Sequence, residues 1–195
     1  MRTHHAITTV LATAALLTLT GCTDTDVKTK PDAAPAPAQS SNSAPATPAA
    51  SAAPQKKAAV GDTLTLAGNN DGEKIAVTVK KWVDPATSKE EYVQPKDGNR
   101  FVAAQLELVN TGTAPYDDSP SNGAKVADAE GQQFTSTLTM GITAGPEFPG
   151  SVTIAPGGKA LGYIVFEIPK DSKVNLLHFS LNSGFASQIG QWDIK

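Results

Sequence analysis

From Val60 onward, apolar and polar positions alternate with a period of two. Asp62-Thr63-Leu64-Thr65-Leu66 shows it, and so does Ile75-Ala76-Val77-Thr78-Val79. In Val102–Leu108 the even positions face one way, with Gln105 and Glu107 on the other side. Gly162, Ile164, Phe166 and Ile168 make a further face; Leu177, Phe179 and Leu181 make another, and Trp192 with Ile194 closes the chain. Such alternation marks strands with one buried and one wet face, the signature of antiparallel sheets. Two weaker strands are expected near Ala124–Asp128 and Gln133–Leu138. The alternation slips at Lys80-Lys81-Trp82, which predicts a bulge.

Turn residues punctuate these runs: Asn70-Asp71-Gly72, Asp97-Gly98-Asn99, Asp128–Gly131 and Ala155-Pro156-Gly157-Gly158. No window beyond Val60 has helical periodicity, although Thr87–Tyr92 has room for a short helical turn. Seven to nine short strands at this spacing predict an all-β fold, an immunoglobulin-like antiparallel β-sandwich over 60–195. A small barrel is the alternative closure.

The pattern ahead of Val60 is different. Residues 22–59 are dominated by Ala, Pro, Ser and Thr without apolar periodicity, which predicts a disordered tether. Its reach runs from roughly 35 Å as a coil to about 110 Å extended. A plain spacer is the expected reading, with an O-glycosylated stalk as the alternative.

Residues 1–21 read as a signal peptide: Arg2 beside His4 and His5, an apolar run from Ala6 to Leu19, then the small residues Thr20 and Gly21. The run is short for a spanning helix, which needs about 20 apolar residues. Leu19-Thr20-Gly21-Cys22 resembles a bacterial lipobox. That resemblance implies diacylglycerol on the Cys22 thiol, cleavage before Cys22 and acylation of the new N-terminus. The location expected is the outer face of the cell membrane, lipid-anchored. An ordinary secretory signal and an uncleaved anchor are the competing readings.

Composition narrows the rest. Cys22 is the sole cysteine, so no intramolecular disulfide can staple the domain. From Val60 the chain carries eleven Lys and Arg against sixteen Asp and Glu, with no basic block. Nucleic acid is therefore not an expected partner.

Several segments carry a family resemblance: Val60-Gly61-Asp62-Thr63, Arg100-Phe101-Val102 through Asn110-Thr111-Gly112, Ile154–Gly158, Gly162–Pro169 and a Trp-bearing last strand. Together they resemble the bacterial domain of unknown function 4352 family, related to a secreted mycobacterial immunoglobulin-like antigen. The resemblance covers nearly all of 60–195. It implies a sandwich and a surface location, and brings no activity and no catalytic residues. The polar connection Tyr116–Asn122 and the long loop Asp84–Pro95 depart from the family pattern.

No catalytic constellation is legible and no cofactor is expected. His178 is the only histidine beyond the leader and reads as an exposed strand residue. One histidine without a free thiol is a poor start for a zinc or copper site. The nearest carboxylate sets are Asp117-Asp118 and Asp128 with Glu130; Asn69–Glu73 lacks the EF-hand spacing.

Thr139–Gly150 is the candidate binding loop. It sets Met140, Ile142 and Phe148 in a Gly/Pro-rich run, with Tyr116 nearby in its own connection. Loops at a sandwich end often carry recognition. The expected role is nevertheless capping, with these apolar residues folded back over the open end of the core and recognition as the competing reading. The function expected is non-catalytic: a monomeric interaction domain for an envelope protein or cell-wall component. An envelope hydrolase, a metal-binding protein and a purely structural component are the alternatives.

Overall fold

The computed structural model describes residues 57–195. The signal peptide and Cys22 lie outside the described residues, as does the tether up to residue 56. Eleven strands are formed in the described part: β1 Ala58–Ala59, β2 Thr63–Ala67, β3 Lys74–Ala86, β4 Asn99–Asn110, β5 Tyr116–Asp118, β6 Ala124–Asp128, β7 Gln133–Thr137, β8 Val152–Ile154, β9 Lys159–Pro169, β10 Val174–Phe179 and β11 Gly190–Asp193. One helical turn, α1 (Pro120–Gly123), precedes β6, and a 3-10 turn spans Asn182–Gly184. Thr87–Tyr92 forms no helix.

The strands make the expected immunoglobulin-like sandwich. One layer runs β1-β11-β10-β6-β7 and the other β7-β9-β4-β3-β2. β7 belongs to both: its first half pairs with β6 through Lys125 opposite Thr135, and its second half with β9 through Thr137 opposite Val165. All these ladders are antiparallel except β1 on β11. β1 draws Ala58 and Ala59 out of the expected tether and into the sheet. On the far side the layers are tied by Trp192, whose indole Nε1 donates to Asp62 O at 3.1 Å.

Alternation sorts the side chains as the sequence predicts. Val102, Ala104, Leu106 and Leu108 of β4 face inward with Ile164, Phe166 and Ile168 of β9, against Val126, Leu177, Phe179 and Trp192 of the other layer. The predicted bulge is present: the β3–β4 register shifts between Val79 and Lys81.

The outer face of the second layer departs from the half-wet expectation. Phe101 and Ala103 of β4, Tyr163 and Val165 of β9 and Ala86 of β3 are buried there in a second apolar cluster, with Ile142 over them. The short pair β5–β8, neither strand of which is long enough to show an alternation in the sequence, places Tyr116, Val152 and Ile154 in the main core.

Candidate functional site

The segment after β7 turns back over the second layer as a flap. Ile142 is wholly buried and sits in the outer cluster with Phe101 and Tyr163. Phe148 takes the opposite direction and joins the main core beside Gly162. A Cβ on Gly162 would come within 2.7 Å of the Phe148 ring and 2.8 Å of its backbone nitrogen, so a glycine in the middle of β9 makes the place for that ring. Tyr116 is fully buried as well. Three of the four expected binding-loop residues are thus core residues, and only Met140 presents its side chain to solvent. The folding back serves two surfaces: Ile142 covers a sheet face, and Phe148 closes onto the main core.

The flap is pinned at many points. Glu147 Oε1 accepts from Gly141 N at 2.8 Å and from the Thr139 hydroxyl. Lys89 N donates to Gly141 O and Thr143 N to Thr87 O, at 3.0 and 2.8 Å. Tyr163 N donates to Pro146 O, and Phe148 N to Tyr163 O. On this fixed frame Leu138 is 88% exposed and Met140 74%. Met140 adopts φ +57° and Gly141 φ +119°, both in the left-handed region. Tyr92, 75% exposed, lies in the connection that bonds to the flap. Leu138 and Met140 thus stand as two exposed apolar side chains beside a backbone held by these hydrogen bonds. The sequence did not single out Leu138. Its position one step past the end of β7 was the available signal.

The carboxylates have structural partners. Tyr116 OH donates to Asp118 Oδ2 at 2.8 Å, and Ser183 donates to the same carboxylate through N at 2.9 Å and Oγ at 2.7 Å. Burial, then the Asp118 charge and hydrogen bond, push the Tyr116 phenol far above its ordinary range. Glu73, also buried, accepts from Asn182 Nδ2 at 3.1 and 3.0 Å and from Asn70. Asn182 and Ser183 hold left-handed φ values of 54° and 55° to make these bonds. Asp128 accepts from Gln132 N at 2.8 Å, from Glu130 N at 3.1 Å and from Ser172 Oγ at 2.6 Å, so it fastens the β6–β7 turn. The Ser172 hydroxyl, helped by those backbone amides, holds its carboxyl below the usual range. Among the described residues no three His, Cys, Asp or Glu side chains gather as metal ligands.

His178 differs from the expected exposed residue. It is half-buried, and its Nε2 is sealed from solvent without a hydrogen-bond partner. Burial first, then Lys57 and Lys125, hold the imidazole below its ordinary value. The structure also shows Arg100 as a hub. It grips Asp84 through Nε and Nη2 at 2.7 and 2.9 Å, and its guanidinium caps the carbonyls of Pro169, Lys170 and Ser172.

The sequence profile of the domain of unknown function DUF4352 matches residues 68–188, most of the sandwich just described. The chain belongs to that family. No curated protein matches it. Among solved structures, the DUF4352 domain is similar to the yjhA protein of Bacillus subtilis, with a TM-score of 0.50 and 13% identity over 71% of this chain and 99% of that one. MPT63, a secreted protein of Mycobacterium tuberculosis, gives 0.48 and 16% over 71% and 96%. The ycdA protein of Bacillus subtilis, a candidate lipoprotein, gives 0.49 and 14% over 68% of this chain. The chain spans 39% of the ycdA length. At such identities the likeness concerns the fold alone.

Proposed function

We propose that this protein is an extracytoplasmic lipoprotein, anchored through Cys22, that displays its DUF4352 sandwich as a non-catalytic interaction domain on a long tether. Leu19-Thr20-Gly21-Cys22, carrying the only cysteine of the chain, supports the anchor. Each buried methylene contributes about 0.8 kcal/mol, so two or three acyl chains on one residue hold where a single chain lets go. The observation that carries the interaction reading is the pinned flap, with Leu138 and Met140 held outward on it. The partner is an envelope protein or a wall component that offers a complementary apolar spot.

The test has two parts. Metabolic labelling with an alkyne-tagged fatty acid marks the wild-type chain, and Cys22→Ser carries no label; an unlabelled wild type removes the anchor. A photo-crosslinker placed at Met140 in intact envelopes gives a discrete adduct that Leu138→Ser diminishes. Absence of any adduct, with the chain correctly located, removes the flap as the contact surface.

A further inference from the structure

The outer face of the first layer carries a polar rank that the function above does not use. Leu177, Phe179, Val126 and Trp192 point inward, so their neighbours His178, Lys125 and Gln191 point outward. The ladders set these side by side: His178 lies opposite Gln191 of β11 and Lys125 of β6. Lys125 in turn lies opposite Thr135 of β7. β1 runs parallel to β11 with Ala58 opposite Trp192, which brings Lys57 to the level of Gln191. One line across the sheet therefore reads Lys57, Gln191, His178, Lys125, Thr135.

A cavity of about 200 Å³ opens on this rank, lined by Lys125, His178, Gln133, Ser180, Gln191 and Ile189. Gly123 and Gly184 border it without side chains, so the space stays open. Its charge is of one sign. The groups bearing on His178 from the strands beside it are Lys125 of β6 and Lys57 ahead of β1. The connection Asn182–Ile189 contributes no titratable side chain. Asp193 of β11 is turned to Lys57, 3.7 Å away, with both side chains over two-fifths exposed. Ser180 Oγ is already committed to Ala186 O and Gln188 O. His178 Nε2 is the one buried side-chain nitrogen or oxygen among the described residues with no partner.

The hollow has Lys125 as its charged lining residue, carries no carboxylate, and borders an imidazole whose Nε2 lies beneath the surface without a partner. We propose that His178 and Lys125, with the amides of Gln191 and Gln133, form a binding site for a phosphate group. The cavity has room for one phosphate, either free or as the head of a phosphodiester. A phosphate presents several acceptor oxygens to donors that arrive from four strands, and charge-assisted bonds to it are the strong ones. Imidazole χ2 is broad and two-fold, so a ring rotation is the movement that turns the nitrogen to the bound anion. Binding and protonation then support each other: the anion offsets the repulsion from Lys57 and Lys125, and the protonated ring becomes a donor at both nitrogens. The site is independent of the flap and of the lipid anchor.

The test uses the full chain in a Cys22→Ser background, so that no acyl chain contributes. Inorganic phosphate is titrated while the His178 ring is followed by NMR. The expected result is a midpoint raised by about one pH unit, which is about a tenfold gain in affinity between the neutral and the protonated ring. Lys125→Ala weakens phosphate about tenfold, and His178→Gln leaves only the pH dependence that the ionisation of phosphate itself imposes. The near-UV spectrum of the buried Trp192 verifies that both variants are folded. Vesicles distinguish the source: retention on phosphatidylglycerol vesicles that Lys125→Ala abolishes assigns the site to a lipid headgroup, and phosphate binding without such retention assigns it to a soluble phosphate. A His178 midpoint unmoved at saturating phosphate, with no Lys125-dependent vesicle binding, overturns the proposal.

Discussion

Gly162 and Phe148 show how much one atom decides. The strand that bears Gly162 is otherwise filled with Tyr163, Ile164, Val165 and Phe166, all buried. Adding a methyl at Gly162 drives it into the Phe148 ring and backbone. Overpacking of this kind costs about 1–3 kcal/mol, so Gly162→Ala lowers the denaturant midpoint accordingly. Because the two positions touch, the Gly162→Ala/Phe148→Ala pair falls short of the sum of the single losses.

Tyr116 makes a second residue-scale case. Its folded phenol is held above its ordinary value, chiefly by burial. A raised value means that the stabilisation is complete below the unfolded value of about 10 and is lost as pH rises beyond it. Stability measured from neutral to alkaline pH therefore falls more steeply in wild type than in Tyr116→Phe. At neutral pH the same substitution removes one donor from a buried carboxylate and costs about 1–3 kcal/mol.

At the scale of elements, the flap and the ends of the long strands make separable contributions to stability. Ile142→Ala uncovers the outer face of the second layer and leaves a void over Phe101 and Tyr163. The expected loss is about 2–5 kcal/mol. Met140→Ser, two residues away and exposed, changes stability by no more than about 0.5 kcal/mol. Thermal or urea unfolding of the two variants separates a packing residue from an exposed one. Arg100 clamps β3 to the turn after β9 through a fork that lysine cannot reproduce. Arg100→Lys costs about 1.5–3 kcal/mol and speeds amide exchange in the 169–172 turn first.

For the whole molecule, the proposed anchor and the sandwich are separable devices. Cys22→Ser moves the protein from the membrane fraction to the soluble one without altering the unfolding midpoint of the domain; a variant that stays with the membrane after leader cleavage overturns the anchor.

The period of two in β2, β3, β4, β9 and β10, together with the Gly- and Pro-bearing turns, was enough to determine an antiparallel all-β fold and its inward faces. Alternation is a local property of the pleat, and each strand reports it by itself. The order of polar residues at Lys80-Lys81 even marked the bulge. β1, β5 and β8 left no such trace, because two or three residues cannot show a period. Only the tertiary structure decided that Ile142 and Phe148 go to opposite faces of one sheet, that Met140 stays out with Leu138, and that His178 stands between two lysines. Those facts depend on which strands become neighbours, and the pairing joins residues such as Lys125 and His178 that lie far apart along the chain.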